Sequence, residues 1–195
     1  MLSFGKITSL MLFWLFLASC SQQTISYKEI SHRTDASKDV VKQFGKQLKS
    51  ELQAAMKAGG ALNALSVCQQ QAPKIAQELS AKTGWKISRT SLKARAQKPD
   101  AWEKRMLQAF EKQHADGDDF KYLFVQDVVK YNNKPAFRYM QAIETKPICL
   151  LCHGENIAPT IAAKIKSLYP NDQATGFKLG DIRGAFSIVQ PLDEE

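Results

Sequence analysis

The segment Cys149-Leu150-Leu151-Cys152-His153 contains two thiols three positions apart, followed directly by an imidazole. Thiols at this spacing can each add to one vinyl group of a haem, and the adjacent histidine then reaches the iron from one face. The spacing therefore predicts one covalent haem c with its iron, attached through thioethers at Cys149 and Cys152 and ligated by His153.

Two other chemistries use paired cysteines. A redox-active dithiol usually lies at the start of a helix after a strand in a βαβ unit, whereas this motif follows Pro147 and a predicted hairpin. A structural zinc site requires two further ligands at short spacing, and the neighbouring sequence has none. Haem attachment is favoured, because the chain also begins with an export signal and c-type haem is attached outside the cytoplasm; the redox dithiol is the alternative.

The N-terminus predicts export and a lipid anchor. Residues 1–19 combine a short basic start with an apolar run too short to span a bilayer, as in a signal peptide. The run ends in Leu17-Ala18-Ser19-Cys20, which is similar to the lipobox of bacterial lipoproteins and implies a lipidated Cys20; an ordinary signal with a chance cysteine is the alternative. Residues 20–36 are expected to be a lipidated tether. Ser21, where retained lipoproteins carry Asp, implies the periplasmic side of the outer membrane.

The chain has four cysteines, so these assignments leave Cys68 without a partner. It lies on the apolar face of a predicted helix, where a cysteine is usually a small buried hydrophobe. A thiolate ligand on the second face of the iron is the other interpretation. The competing side chains are His32, His114, Met56, Met106 and Met140. The two histidines are predicted to face solvent, and Met56 and Met106 are predicted to fill the core.

Apolar periodicity predicts helices followed by mostly antiparallel strands, which is an α+β fold in one domain over residues 37–195. The expected elements are a helix from Ser37 to Gly59-Gly60, a second helix to Gly84, a strand over 86–92, a helix from Asp100 to Asp116, strands over 120–131 and 137–143 joined at Asn132-Asn133, a helix over 161–168 and a strand over 185–189.

Several segments, taken in order, resemble the Tll0287-like family of c-type haem proteins from about Val40 to the C-terminus. They are Val67-Cys68, Ala72-Pro73 with Ile75-Ala76, Arg89 to Arg95, Trp102-Glu103, Cys149 to Gly154, Leu168 to Pro170 and Gly180 to Ser187.

This resemblance implies a PAS-like antiparallel sheet flanked by helices, with His153 as the proximal ligand and Cys68 as a distal thiolate. The family also occurs as the sensing part of membrane signalling proteins. This chain reaches Glu195 without a kinase, a cyclase or a second membrane span, so a signal is expected to pass to a partner protein.

Three arginines, Arg89, Arg95 and Arg183, are candidate partners for the haem propionates, because guanidinium forks match carboxylates. Ordinary surface arginines are the alternative. The formal charge of +8 comes from dispersed lysines and arginines rather than from a basic block, so nucleic acid is not expected as a partner.

These features predict a haem-based redox or gas sensor rather than an enzyme, since no distal acid and base pair suited to a peroxidase is recognisable. The alternative is a periplasmic electron-transfer cytochrome c, whose basic surface would suit an acidic redox partner. A homodimer is compatible with a sensor-like domain.

Overall fold

The computed structural model describes residues 25–192. Its elements follow in the order α1 (Tyr27–Thr83), β1 (Lys86–Thr90), α2 (Ala101–Ala115), β2 (Phe124–Tyr131), β3 (Lys134–Glu144), α3 (Leu150–His153), α4 (Pro159–Leu168) and β4 (Ile182–Pro191). Short 3-10 turns cover Phe120–Tyr122 and Pro147–Cys149.

The four strands form one antiparallel sheet in the order β1-β4-β3-β2. Helices pack on both of its faces, so the predicted α+β class with an antiparallel sheet is confirmed. The β2–β3 hairpin turns at Asn132 and Asn133, as predicted, with φ angles of 51° and 64°. Asparagine tolerates this left-handed conformation better than most residues, and two such residues in sequence form the tight turn that suits a hairpin.

Alternation along the strands divides the core into two layers. Phe137 and Tyr139 of β3 face α1, whereas Met140 faces α2, because successive strand residues point to opposite sides of the sheet. In β4, Ile188 joins the α1 layer and Ala185 joins the α2 layer. The sheet is therefore the middle of three layers, and its strand ends reach the candidate site.

The helix α1 consists of two segments separated at Gly59 and Gly60, the predicted break. Gly60 has a φ of 67° and a ψ of −160°, outside the helical region. A straight helix would separate Val40 from Leu79 by about 58 Å, yet both belong to the same core cluster. The two segments therefore fold back against the same face of the sheet.

The tether predicted for residues 20–36 is wrong from Tyr27 onward, where the structure has helix. Arg33 donates to the side-chain oxygen of Gln190 at 3.1 Å. The amide of Gln190 donates to Ser37 Oγ at 2.8 Å. These long-range polar contacts attach the start of α1 to β4, and a short-range pattern of apolar residues does not reveal them. The signal over residues 1–19 and the lipidation residue Cys20 lie outside the described residues.

Helix α2 begins with a capping box, in which Asp100 Oδ1 accepts from the backbone of Glu103 at 2.8 Å and Glu103 accepts from the backbone of Asp100 at 2.9 Å. The buried Arg138 of β3 reaches Asp100 Oδ2 at 2.8 Å and lies over the Trp102 ring. Trp102 is thus a core residue. Within residues 25–192, the apolar length needed to cross a membrane is not reached by any helix.

Candidate functional site

The motif that contains both predicted attachment cysteines is folded as two consecutive tight turns. Residues Pro147–Cys149 form a 3-10 turn, and Leu150–His153 follow as the short helix α3. Gly154 ends this helix, and its N–H donates to the carbonyl of Leu150 at 3.0 Å. A Cβ at Gly154 would lie 2.6 Å from that carbonyl oxygen, so the turn has no room for a side chain there.

The loop that precedes β4 holds this turn in place. The N–H of Phe177 donates to the carbonyl of His153 at 3.0 Å, and the N–H of Gly176 donates to that of Gly154 at 2.9 Å. The Phe177 ring also meets the His153 ring edge-on, with centroids 6.3 Å apart. Backbone and ring contacts together fix the direction in which the imidazole points.

The two ring nitrogens of His153 have different partners. Nδ1 lies 2.7 Å from the carbonyl oxygen of Ala174. A carbonyl oxygen only accepts, so Nδ1 carries the proton and Nε2 keeps its lone pair. Nε2 lies 3.3 Å from Arg183 Nη2, which can only donate. Both contacts therefore assign the same tautomer, and Nε2 is the nitrogen able to bind a metal.

Burial is the main cause that lowers the pKa of His153 from 6.5 to about 2, and the positive charges of Arg183 and Arg95 act in the same direction. The imidazole is therefore neutral at physiological pH. Neutral imidazole is also the form that ligates iron.

Two of the three predicted arginines have no carboxylate partner among the described residues. Among the described residues, neither Arg89 nor Arg183 forms a salt bridge. Arg89 lies over the Phe44 ring and Arg183 over the Phe177 ring. Desolvation lowers the pKa of Arg183 to about 10, with Arg89 and Arg95 adding repulsion. Uncompensated guanidinium groups of this kind are suited to an anionic ligand.

Arg89 is open to water yet surrounded by protein atoms. Its residue surface is exposed, whereas desolvation by the surrounding atoms lowers its pKa. The guanidinium of Arg89 thus contacts both water and surrounding protein.

Arg95 differs from the other two because it already has a carboxylate partner, and its role as a propionate contact stays a prediction. Its Nε and Nη2 lie 2.9 Å and 3.0 Å from the two carboxylate oxygens of Asp172. Nη2 also donates to the carbonyl of Cys152 at 2.8 Å. A bidentate ion pair and a backbone contact already use the planar fork of this guanidinium.

Cys68 lies on the second segment of α1 and is half-buried. Desolvation raises the pKa of its thiol, while the charges of Arg89, Arg95 and Arg183 lower it less strongly. The same three arginines act on His153. The charges of these three arginines, here called the arginine cluster, thus act on both a thiol from position 68 and an imidazole from position 153.

The chain matches a family model over residues 21–191. The chain belongs to the Tll0287-like family. Its fold is similar to the crystal structure of the cyanobacterial heme-protein Tll0287, with a TM-score of 0.64 and 22% sequence identity, covering 88% of this chain and 99% of that one. No curated protein matches the chain.

In this Tll0287-like chain, the cysteines at 68, 149 and 152 are all free and half-buried. Burial raises the pKa of the Cys152 thiol, and Arg95 opposes the rise. Among residues 25–192, there is no group of three or more histidine, cysteine or carboxylate side chains that could together hold a bare metal ion.

A cavity of this Tll0287-like domain lies next to Phe177. It holds about 310 Å³ between α2 and the segment before β4, and it is lined in part by Leu107, Glu111, His114 and Phe177. Phe177 is the one residue that it shares with the contacts of His153 described above. The predicted haem ligands and attachment cysteines are not among the residues that line this cavity.

Residues that the sequence interpretation missed complete the site. Asp172 pairs with Arg95, and the Ala174 carbonyl holds His153. Burial and the neighbouring Cys68 raise the pKa of Tyr169. All three lie in a turn-rich segment, where polar residues are common for local reasons: Asp172 Oδ1 accepts from the Ala174 N–H at 3.0 Å, as in an Asx turn. No sequence pattern indicated their second, long-range contacts.

Proposed function

We propose that this chain binds one covalent haem c, with thioethers at Cys149 and Cys152 and with His153 and Cys68 as axial ligands. The observation that supports this most strongly is the tautomer of His153. Its Nδ1–H is engaged by Ala174, and its Nε2 lone pair lies beside Arg183, whose charge also acts on the Cys68 thiol. The neighbour similar in fold is described as a heme-protein, which agrees with this assignment.

The residues present fit a haem in charge as well as in ligand type. Arg89 and Arg183 supply two cations that lack carboxylate partners among the described residues, and the haem carries two propionates. Nε2 has one lone pair, so His153 acting as a ligand would release the Arg183 guanidinium for a carboxylate. Arg95 is already paired with Asp172, so we assign the propionates to the other two arginines.

Haem, when bound, supplies a one-electron iron couple whose potential depends on its axial ligands. The protein would contribute Cys68, an axial ligand that can dissociate from the iron. Burial raises the pKa of the free Cys68 thiol, so a released Cys68 would take up a proton and remain neutral. A ligand with this property suits a redox or gas sensor, in which ligand exchange changes the conformation of the protein.

The proposed setting is the periplasmic side of a bacterial outer membrane, with the chain anchored through a lipidated Cys20. Two or more acyl chains hold a protein stably at a bilayer, whereas one chain holds it weakly. A sensor in this position would act on a redox or signalling partner protein rather than on a substrate.

The test of haem attachment is a pyridine haemochrome spectrum of denatured protein made together with c-type maturation machinery. We expect a haem that stays with the polypeptide and gives the two-thioether spectrum. Cys149→Ser with Cys152→Ser should lose it, and Cys68→Ala should keep it. Non-covalent haem, or none, in the natural chain would refute the proposal and leave the redox dithiol to be tested by thiol titration.

An electron carrier is the second candidate, favoured by exposed apolar side chains beside the motif. Ile148 and Leu151 are 38% and 42% exposed, as expected of a contact surface for a redox partner. The two functions separate on ligand exchange. A sensor should bind carbon monoxide or imidazole after reduction, whereas a carrier should keep both axial ligands in both oxidation states.

A further inference from the structure

The side chains of Arg95 and Asp172 form a largely buried, bidentate ion pair beside the motif. They are 10% and 8% exposed. Two parallel N–H to oxygen contacts of 2.9 Å and 3.0 Å join them. An exposed ion pair contributes little to rigidity, but a buried bidentate pair has one preferred geometry.

Each partner of this pair reaches a different part of the site. Arg95 Nη2 donates to the carbonyl of Cys152 at 2.8 Å. Asp172 Oδ1 accepts from the N–H of Ala174 at 3.0 Å. The carbonyl of that same Ala174 accepts from His153 Nδ1 at 2.7 Å. One ion pair is therefore connected by single contacts to an attachment cysteine and, through Ala174, to the imidazole.

We propose that Arg95 and Asp172 are positioning residues that fix Cys152 and His153 relative to each other and hold the His153 tautomer. This rests on the proposed haem function. A hydrogen bond from the second nitrogen of a ligating histidine fixes the ring and raises its basicity toward the metal. In this chain the acceptor is a backbone carbonyl whose own position depends on a side-chain ion pair.

A purely structural ion pair would make a different prediction. Removing it would lower stability without changing which nitrogen of His153 carries the proton or how basic the ring is. The decisive measurements are therefore the tautomer of His153 and the midpoint potential, in variants that are first shown to fold.

Three variants separate the two roles. Asp172→Asn keeps the shape and removes the charge. Arg95→Lys keeps the charge and loses the planar fork that reaches Cys152. The double replacement Arg95→Met with Asp172→Leu removes both charges at once, which avoids leaving one charge buried alone and protects the fold. Asp116→Asn is the matched control, because it removes the exposed Lys112–Asp116 pair.

The first readout is the ¹⁵N spectrum of the His153 ring in the haem-free full chain. We expect one tautomer with the proton on Nδ1 in the natural protein and in Asp116→Asn. We expect a mixture in Asp172→Asn and in the double variant. An unchanged single tautomer in a folded double variant would overturn the proposal.

The second readout is the midpoint potential of the haem-loaded protein. A less basic His153 stabilises ferric iron less, so the ferrous-to-ferric ratio at the natural midpoint should rise about tenfold in Asp172→Asn, equivalent to about 59 mV for one electron. Arg95→Lys should give a smaller shift. Natural protein without covalent haem would refute the proposed function alone, because the tautomer measurement needs no haem. Natural potentials in the double variant would overturn the positioning role.

Discussion

At the scale of single residues, His153 is the group on which the site depends. Its two nitrogens contact groups from different parts of the chain, the Ala174 carbonyl and the Arg183 guanidinium. Neither contact is a neighbour in sequence, and both require the same proton location. A histidine held in this way would need no rearrangement of its proton to act as the proposed iron ligand.

Replacing Cys68 tests the second proposed ligand. Cys68→Ala should keep covalent haem but lose the anionic thiolate that stabilises ferric iron, so the midpoint potential should rise by on the order of 0.1 V, within the ~0.8 V range set by axial ligands. Electron paramagnetic resonance and redox titration measure the change. Ser66→Ala, a half-buried position on the same helix, is the control. Identical spectra in Cys68→Ala and the natural protein would exclude this ligand.

Stability should also depend on His153 through pH. The folded state lowers its pKa from 6.5 to about 2, so the unfolded chain binds a proton below pH 6.5 that the folded chain does not bind. The stabilisation from the neutral ring is complete above pH 6.5 and is lost as the pH falls below it, with a slope of at most about 1.4 kcal/mol per pH unit.

Urea unfolding of the haem-free chain between pH 5 and pH 7 measures this slope. His153→Gln should make the curve flatter than that of the natural protein. His32→Gln, at an exposed position, should leave it unchanged. Equal slopes for His153→Gln and the natural chain would contradict a neutral, buried His153.

At the scale of elements, the site consists of short segments that long helices and strands hold in place. Cys68 belongs to α1, which packs against one face of the sheet, and His153 ends α3, a helix of four residues. A helix this short is not stable by itself, because nucleating a helical turn is unfavourable. Its geometry therefore depends on Pro147 before it, Gly154 after it and the loop that contacts it.

Gly154→Ala tests this dependence. The new Cβ would meet the Leu150 carbonyl at 2.6 Å, so the turn must open, at a cost of about 1–3 kcal/mol. We expect lower unfolding stability in urea and less covalent haem per chain. Gly45→Ala is the control, because its Cβ would only contact Phe186 at 3.8 Å, and alanine favours a helix. A Gly154→Ala protein with natural stability and haem content would show that the turn tolerates the methyl group.

At the scale of the whole molecule, the described domain offers no helix that could cross a membrane. The proposed membrane location rests on a lipid at Cys20. The formal charge of +8 adds a general attraction to anionic surfaces, but salt screens such attraction within about 10 Å at 0.1 M ionic strength. Lipidation and charge thus make separable predictions.

Cys20→Ala should release the protein from the membrane, because it removes the site of acylation. Fractionation of cells in high-salt buffer measures this without the contribution of charge. Cys68→Ala should stay with the membrane fraction and serves as the control for loss of a cysteine. Membrane retention of Cys20→Ala in high salt would count against the lipid anchor.

Local patterns in the sequence were sufficient for much of this fold. The Gly59-Gly60 break, the Asn132-Asn133 turn and a strand over 137–143 were all predicted, because backbone conformation and side-chain period depend on neighbouring residues. The cysteine and histidine spacing likewise predicted an attachment motif before any tertiary contact was known. The family resemblance, now confirmed by the match over residues 21–191, supplied the expected pairing of His153 with Cys68.

Tertiary structure alone decided which side chains meet. Arg95 and Asp172 are 77 positions apart, and Arg183 and His153 are 30 apart. In sequence, Arg89, Arg95 and Arg183 looked equivalent, yet one of them is neutralised by an aspartate and two lack carboxylate partners among the described residues. The start of α1 was missed for the same reason, since contacts with β4 hold it in place. Spacing encodes what one segment can do, whereas the charge state and partners of a side chain depend on the segments that the fold brings beside it.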